Sequence, residues 1–191
     1  TARDDSGWSS PQMLPLNGDV RALAPGPFGT LVVGARRNQR ARAMLHGLDG
    51  RNTVFTSGVN DQPPLQVALA AATRDWWAAG DGFVLAFSAA GVTTEEIDQD
   101  TSEPLGDAVA MALDVVGVPW LVTKHAVLRR QGSGTQVVWR VHYRRDRSLP
   151  PLVAIGFTLE GAVIMDASGG GAVIRPPDVD AWHPTEMPSV G

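Results

Sequence analysis

The sequence contains no cysteine, a single tyrosine (Tyr143) and a single lysine (Lys124), and it has no long apolar run. Without cysteine there is no disulfide, thiolate nucleophile or thiolate metal ligand. No stretch approaches the ~18 uninterrupted apolar residues of a membrane-spanning helix. The first ten residues are polar and show no secretory leader. We therefore expect a globular protein with no membrane partner, and the cytoplasm is the favoured location.

Motifs that point to an enzyme or a cofactor are also missing. There is no phosphate-binding glycine loop, no dinucleotide fingerprint and no nucleophile elbow. The four histidines have no metal-ligand spacing. The net charge of −4 argues against nucleic acid as a partner. These absences predict no cofactor and no metal, and they favour binding over catalysis.

What the chain does contain is a fourfold repeat. Each copy starts with small and apolar residues, and the starts at 21–24, 67–70, 109–112 and 153–156 are offset by 46, 42 and 44 residues. A period of about 44 residues made of short strands is typical of a β-propeller blade. The sequence predicts an all-β, β-propeller-like fold of about four blades, each of four antiparallel strands. We expect a single domain over residues 1–191, with repeats starting near 20, 66, 108 and 152.

Apolar stretches and glycine turns predict the other strands of each copy. Second strands are expected at 30–34, 76–79, 119–123 and 162–166; third strands at 42–45, 83–87, 126–130 and 172–175; fourth strands at 52–57, 92–97 and 135–143. The last copy has no obvious outer strand. We expect the N-terminal strand 7–14 to supply it and close the ring, with residues 179–183 as the alternative. A half-ring completed by a second copy is the rival to closure.

The turn at residues 46–55 is similar to the Asp-box turn S-x-D-x-G-x-T-W. Asp49 and Thr53 match that pattern, whereas Gly47, Arg51 and Val54 replace its Ser, Gly and Trp. The chain resembles β-propeller repeat proteins with degenerate sialidase-type Asp-box or WD40-like blades. This resemblance implies a rigid ring, and it makes a sialidase-like glycosidase or a lyase one alternative function. Sialidase chemistry needs a tyrosine nucleophile, but Tyr143 is predicted on an outer strand away from the ring axis.

Arginines form two clusters. The first, which is the predicted binding site, interrupts a hairpin of the first copy and consists of Arg36, Arg37, Arg40 and Arg42. Loops on a rigid scaffold often carry binding, so we expect this loop to contact an anion or an acidic protein. The second cluster is Arg140, Arg144, Arg145 and Arg147. We expect it to face the acidic run 95–107 across the gap between the second and third blades.

The acidic run 95–107 is interpreted as a solvated loop between blades. Asp98, Asp100 and Ser102 have the spacing that begins a calcium loop, but Glu103 stands where that loop requires glycine. The run is therefore assigned no metal ligands, and a loose calcium site is the alternative to a solvated loop.

Taken together, the sequence predicts a non-catalytic scaffold propeller that binds a protein, as part of a larger complex. The alternatives are a module that binds or senses a sugar or an anion at the central channel, a homo-oligomer, and an enzyme with an axial site. Asp75, Asp114 and Glu160, at the first hairpins of the copies, are the carboxylates that the enzyme alternative would use.

Overall fold

A computed structural model describes residues 3–4, 7–8, 19–35, 42–56, 66–70, 75–80, 82–88, 91–98, 105–133, 136–159, 161–174 and 185–186. These residues form β-strands and turns only, so the prediction of an all-β fold is confirmed for them. Within the same residues no helix is long and apolar enough to cross a membrane. In chain order the strands are β1 (Arg3–Asp4), β2 (Gly7–Trp8), β3 (Asp19–Gly26), β4 (Gly29–Ala35), β5 (Arg42–Gly47), β6 (Asn52–Thr56), β7 (Val67–Ala70), β8 (Trp76–Gly80), β9 (Phe83–Ser88), β10 (Gly91–Asp98), β11 (Ala108–Leu113), β12 (Pro119–Thr123), β13 (Ala126–Gln131), β14 (Val138–Arg144), β15 (Leu152–Thr158), β16 (Gly161–Asp166), β17 (Gly171–Ile174) and β18 (Thr185–Glu186).

The strands from β3 onward form four consecutive antiparallel meanders, which we call repeats 1 to 4. They are β3–β6, β7–β10, β11–β14 and β15–β18. β12 has the predicted bounds, and the other predicted second and third strands are matched to within two residues. The largest difference among the fourth strands is in β14, which begins at Val138 rather than at 135.

The chain ends differ from the expected ring closure. β2 pairs with β1 as a short hairpin, and the outer neighbour of β17 is β18, beyond the alternative segment 179–183. Residues 9–14 lie outside the described part of the chain. Closure of a ring by strand 7–14 therefore stays a prediction.

The first strands of successive repeats lie side by side, β3 against β7, β7 against β11 and β11 against β15. Small residues suit this position because neighbouring backbones approach closely there, as at Ala68, Ala70, Ala110 and Ala112. Repeats 2 and 3 are joined a second time, since β10 pairs in parallel with β14 through Glu96–Val138, Ile97–Trp139 and Asp98–Arg140. The resulting eight-stranded sheet is nearly closed and barrel-like, because its two end strands, β7 and β11, contact each other.

An apolar core fills each of the three spaces between successive repeats. The core between repeats 1 and 2 contains Leu31, Val33, Trp76, Leu85 and Phe87. The core between repeats 2 and 3 contains Trp77, Val84, Leu121, Leu128 and Trp139. The core between repeats 3 and 4 contains Trp120, Val122, Val127, Leu152 and Ile164.

The adjacent tryptophans Trp76 and Trp77 show how the repeats stack. Neighbouring residues of a strand point to opposite faces, yet each of these side chains is only 4% exposed. Both faces of β8 are therefore covered, by repeat 1 on one side and by repeat 3 on the other. This confirms the sequence-based expectation that both tryptophans pack between blades.

Repeats 4 and 1 are not joined in the same way. Among the described strands, β15 and β3 do not make the extended contact that the other first strands make, and no core cluster contains residues of both repeats. The closed four-repeat ring favoured by the sequence is thus not observed in the described part of the chain.

Candidate functional site

The hairpin between β11 and β12 is built around one carboxylate. Asp114 Oδ1 accepts hydrogen bonds from the backbone N–H groups of Val118 at 2.8 Å and Val116 at 3.1 Å. Its Oδ2 accepts from Trp120 Nε1 at 3.1 Å and from Arg129 Nη2 at 3.3 Å. Four donors saturate this carboxylate, so Asp114, a candidate for the enzyme alternative, has a structural role.

A second carboxylate is buried between repeats 2 and 3. Glu95, on β10, accepts from Arg130 Nε one hydrogen bond that its two oxygens share, at 3.0 and 3.1 Å, and a second from Arg130 Nη2 at 2.7 Å. It also accepts one from Trp139 Nε1 at 2.8 Å. The Arg130 guanidinium lies over the ring of Trp77, 5.5 Å from its centroid. The four residues form one polar network inside an apolar interface, where full pairing is needed to offset desolvation.

This network corrects the interpretation of the acidic run as a solvated loop at its first residues, whereas residues 99–104 lie outside the described part of the chain. Glu95 belongs to a strand and is only 7% exposed. Neither Glu95 nor Arg130 was singled out from the sequence as an individual site residue. The missing information was the parallel pairing of β10 with β14, because that long-range pairing brings Glu95 to the third repeat.

A cleft of about 420 Å³ lies at the edge of the same interface. Its lining includes Asp75, Trp77, Val118, Arg129, Arg130 and Gln131. Two of its N–H donors, Trp77 Nε1 and Arg129 Nε, are buried and have no hydrogen-bond partner among the described residues. A buried donor without a partner is costly, by about 1–3 kcal/mol. The cleft is therefore lined by two residues, Trp77 and Arg129, that each bury one N–H group without a partner, and by one carboxylate, Asp75.

Apolar side chains are exposed beside this cleft. Val115 and Val116, at the tip of the β11–β12 hairpin, are 70% and 74% exposed. Leu159, after β15, is fully exposed on the hairpin at the same edge of repeat 4. Leu48 lies in the turn after β5, and its backbone N–H donates to Phe28 O at 3.3 Å. The β3–β4 and β5–β6 turns of repeat 1 therefore lie at the same edge of that repeat. We call this edge of the repeats the hairpin edge.

The Asp-box-like turn lies at the hairpin edge of repeat 1. Asp49 Oδ1 accepts from Arg51 N at 3.0 Å, and Gly47 N donates to Arg51 O at 2.8 Å. Gly50 has φ of +76°, a conformation that favours glycine. These contacts are local, so the turn positions the strands β5 and β6.

Of the four arginines predicted to form the binding site, only Arg42 is among the residues that the structure describes. Arg36, Arg37 and Arg40 lie outside the described residues. Arg42 begins β5, where its backbone pairs with Gly34 and Thr56. The arginine loop remains a prediction.

The arginines of the second cluster pair with different carboxylates. Arg140 pairs with Asp98 at 3.5 Å, which confirms that the acidic run and this cluster meet between repeats 2 and 3. Arg145 instead pairs with Asp166, and its Nε donates to Pro150 O at 2.6 Å, so it joins repeats 3 and 4.

A shallower groove of about 330 Å³ follows β14 and includes Asp98, Arg140, His142, Tyr143 and Arg144 in its lining. Burial lowers the pKa of His142, and the nearby charges of Arg129 and Arg140 lower it further. Its ring lies 5.4 Å from that of Trp120, and its Nε2 is 2.9 Å from Gln131 Nε2.

Tyr143, the tyrosine weighed for sialidase chemistry, lies on the outer strand of its repeat, as the sequence predicted. Its side chain packs against the core between repeats 3 and 4. That packing gives it a structural role.

Carboxylates and histidines do not gather into a metal site in the part of the chain that the structure describes. Asp98, which would begin the calcium loop considered above, pairs with Arg140 instead. Asp100, Ser102 and Glu103 lie outside the described residues, as does Glu160.

Comparisons with known proteins support the fold. No protein-family model matches the sequence, and no curated protein matches it. A catalytically inactive virginiamycin B lyase from Staphylococcus aureus, crystallised with quinupristin, superposes with a TM-score of 0.61 at 10% identity over 87% of this chain and 58% of that chain. YCF48 bound to D1 peptide superposes with a TM-score of 0.61 at 13% identity over 93% of this chain and 56% of that chain. Both neighbours are β-propellers, so the chain has a propeller-like fold and spans little more than half of their length.

Proposed function

We propose that this protein is a non-catalytic, protein-binding β-propeller module whose partner docks on the hairpin edge beside the cleft of repeats 2 and 3. In this proposal the four meanders are four blades with a period of about 44 residues. The observation that carries it is the cleft itself, where buried donors without partners lie next to exposed apolar side chains.

The composition of this surface fits protein recognition. Strong contacts in protein interfaces concentrate at aromatic and arginine side chains in a desolvated centre. Here Arg129 and Trp77 line the cleft, and the exposed pair Val115 and Val116 stands beside it. A partner side chain that enters the cleft would satisfy the free donors while the valines lose water-exposed apolar area.

The hairpins are suitable for binding because they are already ordered. Asp114 holds the β11–β12 hairpin through two backbone hydrogen bonds. A partner therefore loses little affinity to the ordering of this loop. YCF48, a neighbour of the same fold, is bound to a peptide, which supports this class of function without identifying the partner.

The arginine loop offers a second contact on the opposite edge. Arg36, Arg37 and Arg40 lie in sequence between β4 and β5, and Arg42 begins β5, whereas the hairpin edge holds the turns β3–β4 and β5–β6. Antiparallel strands place alternate turns at opposite ends of a meander. One rigid partner cannot reach both edges of repeat 1 from one side, so the two surfaces can be tested separately.

The test is affinity capture from the native lysate with four versions of the chain, followed by measurement of the molar mass of each eluate. The versions are the unaltered chain, Val115→Ser with Val116→Ser, the fourfold change of Arg36, Arg37, Arg40 and Arg42 to Ala, and the control Leu149→Ser, an exposed apolar residue in the β14–β15 connection at the opposite edge. We expect a stoichiometric partner that is lost only in the valine variant. Loss only in the arginine variant would overturn the hairpin edge as the docking surface, and a bare chain in all four would overturn the proposal of a protein-binding module.

The unsatisfied donors also favour a second candidate, a small polar ligand such as a sugar or an anion. In this alternative the ligand enters the cleft between repeats 2 and 3 rather than a central channel. A ligand that binds only the folded state raises the melting temperature. Stabilisation by a sugar or an anion that disappears in Arg129→Gln, and persists in the control Arg51→Gln, would favour this candidate over the first.

A further inference from the structure

The ring of His142 connects the groove along β14 with the cleft between repeats 2 and 3. Val127 pairs with Tyr143, whereas the next residue of β13 pairs with Val141, so His142 is the extra residue of a β-bulge. A bulge turns a side chain away from the direction that a regular ladder would give it. His142 lines the groove, Gln131 lines the cleft, and His142 Nε2 lies 2.9 Å from Gln131 Nε2. One hydrogen bond therefore joins the two concave surfaces.

The geometry of this hydrogen bond fixes the protonation of the ring. An amide nitrogen only donates hydrogen bonds, so His142 Nε2 must accept from Gln131 Nε2, and the neutral ring carries its proton on Nδ1. Burial lowers the pKa of His142, and the charges of Arg129 and Arg140 lower it further, so the ring is neutral at neutral pH. In this state the Gln131 amide has its acceptor, Oε1, left for a group in the cleft.

A second proton on the ring, at Nε2, reverses the hydrogen bond. Protonated Nε2 is a donor, so Gln131 keeps the bond only if its amide turns and Oε1 becomes the acceptor. A hydrogen bond from a charged donor is stronger than the neutral one that it replaces. The turned amide has Nε2 rather than Oε1 left for the cleft. A proton on His142 therefore exchanges an acceptor for a donor in the lining of the cleft.

A second path leads from the same ring to Arg129, which also lines the cleft. The His142 ring lies 5.4 Å from the ring of Trp120, and the guanidinium carbon of Arg129 lies 5.6 Å from the Trp120 centroid. Trp120 Nε1 and Arg129 Nη2 both donate to Asp114 Oδ2. A positive charge on His142 therefore raises the electrostatic potential at the end of the cleft that Arg129 lines.

The charged groups around the ring determine the sign of the effect. Among the described residues they are Arg129 on β13, Arg140 and Arg144 on β14, Asp98 on β10, and Asp114 in the β11–β12 turn. Both carboxylates are already paired with arginines of this set. From repeat 4, β15 contributes the uncharged Phe157, which packs on Trp120. These surroundings do not neutralise an added positive charge on the ring, so a hydrogen-bond acceptor in the cleft would stabilise it.

We infer that His142 makes binding at the cleft depend on pH, with a carboxylate or another hydrogen-bond acceptor of the partner held more tightly once the ring carries the second proton. The inference rests on the proposed docking of a partner beside the cleft. Asp75 lines the same cleft, so its carboxylate disfavours an anion there while His142 is neutral. Binding and protonation are reciprocal, so an occupied cleft raises the pKa of His142.

The first measurement uses the chain without a partner. NMR follows the ring nitrogens of His142 and the side-chain amide of Gln131 between about pH 5 and 8. We expect the neutral ring to carry its proton on Nδ1, and the Gln131 amide signals to shift with the same midpoint as the ring. The side-chain amide of Gln66, before β7, is the control and should not follow that midpoint. A neutral ring protonated on Nε2, or a Gln131 amide that does not follow the titration, would overturn the inference.

The second measurement is the affinity of the purified partner from the capture experiment, at about pH 5 and about pH 8. The unaltered chain should gain at least about fivefold more affinity on acidification than His142→Gln, which cannot take up the proton. Comparison with this variant removes any titration of the partner's own groups. The control is His46→Gln in repeat 1, where His46 Nδ1 lies 2.7 Å from Asn52 Oδ1, and it should behave as the unaltered chain does. Equal pH dependence in the unaltered chain and His142→Gln would overturn the inference.

A third measurement needs no variant and so remains decisive if His142→Gln does not fold. The pKa of His142, followed by NMR in the unaltered chain, should rise when the partner binds, and an unchanged or lower pKa would overturn the inference. The two proposals fail in different ways. A chain that captures no partner would overturn the proposed function and the regulation with it, whereas a partner that binds without any linkage to His142 would overturn the regulation alone.

Discussion

Glu95 and Arg130 form a two-pronged ion pair that joins the outer strand of repeat 2 to the third strand of repeat 3. Arg130 Nη2 lies 2.7 Å from Glu95 Oε1, and Arg130 Nε lies 3.0 Å from the same oxygen. The side chains are only 6% and 26% exposed. The pair is thus a specific contact between repeats in an interface that is otherwise apolar.

Removing one member of this pair should strongly destabilise the fold. We expect Glu95→Gln to lower the free energy of unfolding by about 3 kcal/mol, because Arg130 would keep a buried charge without its counter-ion. The measurement is chemical denaturation of Glu95→Gln, Arg130→Met and the double variant. A double variant as unstable as the sum of the two single changes would show that the residues do not act as a pair. Arg51→Ala, which alters a pair that is 89% and 61% exposed, is the control.

Substitutions at two glycines can distinguish the cost of a steric clash from the cost of backbone strain. Gly132 and Gly117 have nearly the same φ, +84° and +82°, but a Cβ on Gly132 would lie 1.9 Å from Gln136 O, whereas one on Gly117 meets nothing within 4 Å. Gly117→Ala should cost about 1–2 kcal/mol from the left-handed conformation alone. Gly132→Ala should cost more, since backbone must move. Equal losses in thermal denaturation would contradict this.

His142 should make the fold more sensitive to mild acid. Burial and the charges of Arg129 and Arg140 lower its pKa in the folded state below the ordinary 6.5. The unfolded chain therefore binds the proton first, and this group's contribution to stability falls as the pH drops below about 6.5. We expect melting temperatures between pH 5 and 8 to depend less on pH in His142→Gln. Identical profiles for variant and unaltered chain would contradict the assignment.

The pKa of the Asp166 carboxyl should depend on the hydroxyl group of Ser168. The hydroxyl of Ser168 donates to Asp166 Oδ1 at 2.6 Å, and this bond lowers the pKa of the carboxyl below its ordinary 3.8, helped by backbone N–H groups and Arg145. A carboxyl whose pKa is lower in the folded state than in the unfolded state stabilises the fold at pH values above the unfolded-state pKa. That stabilisation is lost as the pH falls through the folded-state pKa. Ser168→Ala should therefore raise the pKa of Asp166. Carboxyl titration by NMR measures it, and an unchanged value would exclude the hydroxyl as the main cause.

The strands were predicted well from the sequence because short apolar stretches between turn residues determine where a strand begins and ends. Residues 119–123 have an apolar sequence between turn residues, and β12 has those bounds. The adjacent tryptophans of β8 also predicted correctly that both faces of the strand are covered.

The site was harder to predict because it depends on which repeats meet. Glu95 lies in a run that looks solvated, and only the pairing of β10 with β14 buries it beside Arg130. Asp114 is intermediate, because its two backbone donors are local turn contacts whereas Trp120 and Arg129 reach it from the strands β12 and β13. The spacing of Glu95 and Arg130 along the chain does not encode their contact.

The parallel pairing of β10 with β14 has a consequence for how the repeats unfold. In proteins made of stacked repeats each unit contacts only its neighbours, so stability is approximately a sum over units and the contacts between them. Repeats 2 and 3 share a sheet through Ile97 and Trp139, so the loss of either repeat would leave the edge of the other without its hydrogen-bonded partner. The two middle repeats should consequently open together as one cooperative unit in native-state hydrogen exchange.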